Sequence, residues 1–444
     1  MPDHLCVLVH GLWGNPNHLS YLNTSLREQF SEDKLHILVT KRNSGNFTYD
    51  GIELGGERVA HEIEQEIEEL KQKGHDIKRI SVIGYSLGGL MSRYAIGLLY
   101  HKGLFDKIEP VNFTTFATPH LGVRSPLKGL RNQIVNVLGA RTLSMSGRQI
   151  FLIDEFRDTG RPLLAVLADP DSIFIEALLA FKHRTLYANV VNDRSVPYYT
   201  ASFSPIDPFV DPDALDITYL NDYEPVILDP AYPVSKKMPL IKNSASLSER
   251  TRAMFGNIPT VAFMMLLVPI GSTAFLVNAA IQSFRSTQRI RLHEEGKAGI
   301  DVKGYRVPLL GTIRREMGDM LERVGTAQEH DYLSTTDAHA SSPRSSRKQS
   351  HSSRQADSPD SDSDVDSIQE SKNDIKSWAD FPTLALTPDQ FKMIENLDNV
   401  GWEKFPVFIH KHRHSHAAII YRRQGAAFEE GHVVTRHWLS RFEI

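Results

Sequence analysis

Residues 79–100 read RISVIGYSLGGLMSRYAIGLLY, and no other stretch constrains the fold of this chain so tightly. Ile80, Val82 and Ile83 have the character of a short buried strand, and the residues after Gly89 carry apolar side chains at helical spacing. Between the two stands Gly84-Tyr85-Ser86-Leu87-Gly88. A strand that passes into a helix through one sharp corner is crowded. The positions two before and two after the corner residue must be nearly free of side chain, and Gly84 and Gly88 meet that need. Such a corner lifts the Ser86 hydroxyl clear of the backbone. It also places Ser86 at a helix N-terminus, whose free N–H groups favour negative charge. The pattern predicts a nucleophilic serine with the Leu87 N–H as one oxyanion donor. A glycine-rich turn with a capping serine would account for the residue types, but not for their place between strand and helix.

The flanking sequence supplies the sheet that such a corner requires. HLCVLVHG, KLHILVTK, RISVIG and EPVNFTTFATP read as four strands. PNHLSYLNTSLREQF, GGERVAHEIEQEIEELKQK and LMSRYAIGLLYHK read as the helices between them. In the second helix Val59, Ile63, Ile67 and Leu70 share one face. Alternating strand and helix predicts an α/β fold with a mostly parallel sheet, helices on both faces and right-handed crossovers. Residues 121–183 change character to KGLRNQIVNVLGA, SGRQIFLID and DSIFIEALLAFK, a helical insertion expected to cap a pocket. TLYANVVND returns to strand, so residues 1–235 are expected to form the first part of the core.

A nucleophilic serine needs a base, and the base needs an orienting carboxylate. In an open parallel sheet all three lie at the carboxyl ends of strands. Asp193 directly follows LYANVV, whereas Asp222 and Asp229 follow no convincing strand. The histidine should follow the last strand and precede the last helix. FPVFI is the expected strand and AAIIYR the start of the expected helix, with His410, His412, His414 and His416 between or beside them. His416 stands at the helix entry and is the chosen base; His414 is second. No Cys, Asp or Glu stands among these histidines, which argues against a metal site and leaves no cofactor expected. VLVHGLWGN supplies the second oxyanion loop, with Leu12 N–H as donor and His10 as a group that orients the loop.

From Ala253 to Phe284 no residue is charged, and Pro269-Ile270-Gly271 stands near the middle. Basic residues flank the segment on both sides: Lys236, Lys237, Arg250 and Arg252 before it, Arg285, Arg289 and Arg291 after it. The length exceeds the roughly 20 residues that span a bilayer. The central proline and the cations at both ends predict a membrane-associating hairpin over 253–284 with both ends on the cytosolic side. A straight span and a buried helix pair are the alternatives. Residues 326–380 are rich in Ser, Asp and Arg and predict a disordered linker. Residues 381–444 then complete the core and carry the histidine. The formal net charge of −4 gives no reason to expect a nucleic-acid partner. The single cysteine, Cys6, fits a reducing compartment. MPDH lacks a basic leader and the apolar run after it is short, so an intracellular protein with unused sequons at Asn23, Asn46 and Asn112 is expected.

Four motifs together, HLCVLVHGLWGNPNHLSYL, TYDGIELGGERVAHEI, ISVIGYSLGGLMSRYAIG and FTTFATPHLGVR, resemble the serine esterase/lipase family of fungi and plants. The chain length, the apolar segment and the HSHAAII stretch are most similar to its lipid droplet phospholipase subgroup. The resemblance implies an α/β-hydrolase fold and acyl-ester hydrolysis on glycerophospholipids at lipid droplets, with the endoplasmic reticulum membrane as second choice. It maps the nucleophile to Ser86, the acid to Asp193 and the base to His416. A neutral acylglycerol lipase, an acyltransferase using the same serine, and a catalytically idle droplet-surface binding protein are the alternatives.

Overall fold

A computed structural model describes residues 2–124, 142–237, 258–300, 302–305 and 381–444. Six strands form one sheet in the order β2-β1-β3-β4-β5-β8, and every neighbouring pair is parallel. They are β1 His4–Val9, β2 Leu35–Val39, β3 Arg79–Tyr85, β4 Glu109–Phe116, β5 His183–Asn189 and β8 Glu403–Val407. Two short strands, β6 Leu215–Ile217 and β7 Val234–Lys236, pair antiparallel outside the sheet.

Side chains of a strand alternate between faces, and β1 shows the result. Leu5, Val7 and Val9 enter one apolar core, Cys6 and Leu8 the other. Both faces of the sheet are covered, which is why its strands read as nearly continuous apolar runs. On the first face lie α2 Ile52–Gln72 and α3 Leu87–His101. The second is covered by α1 Ser20–Gln29 and the C-terminal helix Glu430–Ser440, which buries Val434 and Trp438 beside Leu22 and Leu26. Sequence reading found α1, α2 and α3 but assigned nothing to 430–440. The stretch AAIIYR, expected to open the last helix, contributes to a single helical turn, Ser415–Ala418.

The described part of the 121–183 insertion forms α4 Ser144–Ile150, α5 Leu163–Leu167 and α6 Ile173–Ala180. These pack on the α2–α3 layer. A Cβ on Gly97 of α3 would collide with Phe174 of α6. Ser146 and Gln149 of α4 take up the backbone N–H groups of Gly51 and Ile52, at 3.0 and 2.6 Å, where α2 begins. Residues 125–141 of the expected cap lie outside the described residues, as does the 326–380 linker.

The expected hairpin is not formed. After the short helix α7, Tyr198–Ala201, the next helix, α8, runs unbroken from Ile258 to Glu294, straight through Pro269 and Gly271. Its 37 residues extend about 55 Å. An internal proline costs a helix about 3 kcal/mol. A reversal at the same point would leave the unpaired N–H and C=O groups of two new helix ends. Residues 253–257 lie outside the described residues. Among the described residues no helix is long and apolar enough to cross a membrane. Beyond 381 come α9 Pro388–Asp398, opened by a Thr387–Gln390 capping box, then β8, α10 Ser415–Ala418 and α11 Glu430–Ser440.

Candidate active site

The chain leaves β1 toward β2 on one side, while β3 pairs on the other. The strand order therefore reverses at β1, and a crevice opens at the carboxyl ends of β1 and β3. Ser86 follows β3 and Leu12 follows β1, so both face this crevice. Asp193 follows β5 and His416 follows β8, which lie beyond β4 in the sheet and end at the same edge.

Ser86 adopts φ 55°, ψ −130°, a conformation that costs an L-residue about 1–3 kcal/mol. Three hydrogen bonds hold it there. Ser86 N–H donates to the Phe116 carbonyl at 2.9 Å, and the Ser86 carbonyl accepts from Gly89 N–H and Thr118 Oγ1–H, both at 3.0 Å. The glycines are needed where sequence reading placed them. A Cβ on Gly84 would strike the Gly89 backbone, and one on Gly88 would strike the carbonyl of Val9. Gly11 is equally constrained, since a Cβ there would lie 2.6 Å from Ser86 Cβ and 3.1 Å from Ser86 Oγ. This contact brings the Gly11–Leu12 peptide against Ser86. Leu87 opens α3, so its N–H has no acceptor within the helix.

His416 Nε2 is 2.9 Å from Ser86 Oγ, and His416 Nδ1 is 2.8 Å from Asp193 Oδ2. The three side chains form one hydrogen-bonded line, with the serine and the histidine 330 positions apart in the chain. Two further bonds fix the imidazole. Tyr85 O–H donates to the His416 carbonyl at 2.8 Å, and Ser415 O–H donates to the Val191 carbonyl at 2.7 Å, tying the histidine turn to the exit of β5. Sequence reading missed both, because neither residue type carries chemistry at that spacing.

Asp193 is almost fully buried. Burial alone would push its carboxyl up. The charge and hydrogen bond of His416, the Val196 N–H at 2.8 Å and the Asn189 side-chain amide at 2.9 Å outweigh that and hold it below the usual carboxylate range. The carboxylate therefore stays ionised and fixes Nδ1 as the protonated nitrogen, which leaves Nε2 to take the serine proton.

The rejected candidates stand elsewhere. His410 is exposed, bonded to the Pro225 carbonyl and stacked on Phe408. His414 is exposed beside His412. Asp229 accepts from Ala231 N–H, and Asp222 serves Arg436 through its carbonyl. His10 is fully buried, with Nδ1–H on the Gly11 carbonyl at 3.1 Å; burial lowers its pKa and keeps it neutral. Its ring packs against Gly14, so it supports the Gly11–Gly14 loop. Among the described residues no group of His, Cys, Asp and Glu is placed to hold a metal ion.

The family model described as "Putative serine esterase (DUF676)" matches residues 1–204. The chain is 34% identical over 209 residues to "Putative lipase ROG1" of Saccharomyces cerevisiae, covering 46% of this chain and 29% of that protein. It is 31% identical over 207 residues to "Putative lipase C4A8.10" of Schizosaccharomyces pombe, covering 45% of this chain and 26% of that protein. The chain thus spans less than a third of the length of these two relatives. Among solved structures it is similar to phospholipase PlaB from Legionella pneumophila, at 18% identity and TM-score 0.28, covering 44% of this chain and 40% of that one. Est1E from Butyrivibrio proteoclasticus gives 14% identity and TM-score 0.25, covering 44% and 71%. Over residues 1–204, which hold five strands of the sheet, the Ser86 elbow and Asp193, the chain is thus similar to the DUF676 serine esterase family.

Proposed function

We propose that this protein hydrolyses fatty-acyl esters of glycerophospholipids at a lipid surface, through an acyl-enzyme on Ser86. The observation that carries the reading is the continuous line Ser86 Oγ–His416 Nε2, His416 Nδ1–Asp193 Oδ2. Ser86 Oγ attacks the ester carbonyl while its proton passes to His416 Nε2. The carbonyl oxygen becomes an oxyanion facing the Leu12 and Leu87 N–H groups, each worth about 2.7–4 kcal/mol in such a site. His416 returns the proton to the leaving alcohol, so the lysolipid departs and Ser86 remains acylated. Water, deprotonated by the same imidazole, then releases the fatty acid and restores Ser86.

The lipid surface is supported by α8. Its apolar residues Val277, Ile281 and Phe284 follow one another at four- and three-residue spacing, and Val277 and Phe284 are 55% and 67% exposed. Such a row lies on an interface without crossing it. A lipid droplet is the favoured surface, because its monolayer has no aqueous far side.

The test is Ser86→Ala measured on mixed micelles of phospholipid, triacylglycerol and monoacylglycerol. The parent protein should release fatty acid fastest from phospholipid, and the variant should lose turnover by at least about 10³-fold while still floating with droplets. Fastest release from triacylglycerol would make this a neutral lipase. Parent protein that turns over no ester and resists a fluorophosphonate probe would make it an idle surface binder.

A further inference from the structure

We propose that Arg93 is a buried electrostatic support of the nucleophile, an uncompensated cation behind the elbow whose field stabilises the oxyanion formed at Ser86. The inference rests on the reading of Ser86 as nucleophile and adds a residue to it. Arg93 lies on α3 and is completely buried. Its Nη2–H donates to the Leu167 carbonyl at 2.7 Å, and its Nη1 stands 3.5 Å from His120 Nδ1. Its Nε has no partner, and no carboxylate among the described residues pairs with it. Burial is what lowers its pKa, to about 9. Charged side chains are almost never fully buried unless paired. A neutral amide could serve the Leu167 carbonyl without that cost, so the charge itself calls for a use.

Among the described residues no carboxylate stands against Arg93 to cancel its field. His120 is fully buried, and burial, with Arg93 and then Lys404 adding to it, holds its imidazole neutral. Nδ1 accepts from Arg93, so Nε2–H donates to Thr115 Oγ1 at 3.1 Å. The loop that carries His120 also carries Thr118, which bonds the Ser86 carbonyl and fills the space beside Gly89. The guanidinium therefore touches the loop that lies against the elbow.

The direction is right as well. Arg93 is seven residues past Ser86, about 10 Å along the helix axis. Helical side chains lean toward the N-terminus, which is toward Ser86. Leu87, Leu90 and Tyr94 of the same helix belong to the core on one face of the sheet. Ala418 and Ile419, which follow His416, belong to the core on the opposite face. The cation thus approaches the oxyanion from the side away from the imidazolium, adding to the positive end of α3. Two unit charges about 10 Å apart at an effective permittivity of about 20 correspond to roughly tenfold in rate.

The experiment compares Arg93→Met and Arg93→Ala with the parent on a soluble short-chain ester. The ground-state ester is neutral, so Arg93→Met should lose roughly tenfold in kcat with KM unchanged. Low millimolar guanidinium should restore Arg93→Ala, whereas urea, of the same shape and similar donors but neutral, should not. A folded Arg93→Met with the parent's kcat overturns the assignment. So does equal rescue by guanidinium and urea, which would make Arg93 a spacer and donor only. Near-UV circular dichroism reports folding; if Arg93→Met is unfolded, the two rescue arms decide alone. A parent protein that turns over no ester refutes the Ser86 reading and this inference together, whereas an active parent isolates the contribution of Arg93.

Discussion

At Ser86 the backbone pays for geometry that the side chain uses. All its main-chain polar groups are bonded, so the strained corner is rigid before any substrate arrives. Asp193 is the residue whose chemistry is most exposed to test. Asp193→Asn keeps the shape but favours the wrong imidazole tautomer, and kcat should fall by about 10⁴-fold with near-normal KM in steady-state assays. The same carboxyl links stability to pH. Its folded-state pKa lies below its unfolded value of about 3.9. Its contribution is therefore complete above about pH 4–5 and is lost as pH falls through the depressed folded-state value. Thermal melts of parent and Asp193→Asn should run parallel at neutral pH and converge in acid. The placement of Ser86 between Gly84 and Gly88, and of Asp193 at a strand exit, was legible, because position along a strand or turn is a local property. Tyr85, Ser415 and Thr118 were not, since a hydroxyl that braces a loop has no local signature.

At the scale of elements, α8 is fastened to the core by its polar C-terminal turns. Asp50, fully buried, accepts from Arg58 at 2.9 Å, Arg289 at 2.6 Å and Ser286 at 2.7 Å. Further along α8, one turn past Arg289, His293 pairs with buried Glu57 of α2 at 2.6 Å. The segment that carries Asp50 also braces the Gly11–Gly14 loop, the proposed oxyanion loop. Gly45 N–H donates to the Gly14 carbonyl at 2.7 Å, Trp13 N–H to Thr48 Oγ1 at 3.1 Å and Trp13 Nε1–H to Tyr49 Oη at 2.8 Å. Asp50→Ala strands two guanidiniums and should cost about 3–5 kcal/mol in urea unfolding. Arg289→Ala leaves the Asp50–Arg58 pair intact and should cost clearly less; equal costs would show that the cluster is not organised around Asp50. Sequence reading treated Arg289 as a basic flank of an apolar segment. Its partner lies 239 positions away, and no local pattern announces an ion pair of that separation.

For the whole molecule, the exposed row on α8 predicts a separable function. Ile281→Asp with Phe284→Asp should abolish flotation with phospholipid-coated droplets while hydrolysis of a soluble short-chain ester stays at the parent's rate. Loss of both together would mean that α8 serves the core and not a surface. The parallel sheet and the serine corner follow from the sequence alone, because strand runs, helical spacing and a glycine-flanked turn are local properties of a few neighbouring residues. So does the length of uncharged chain from 253 to 284, although the hairpin inferred from its proline was wrong: a helix absorbs one missing hydrogen bond more cheaply than it ends twice. Only the tertiary structure decides which of four histidines reaches Ser86, and that Arg93 is a cation with no carboxylate partner among the described residues. Both depend on what packing brings together across hundreds of residues, and burial is a property of the folded whole that no single stretch of chain possesses.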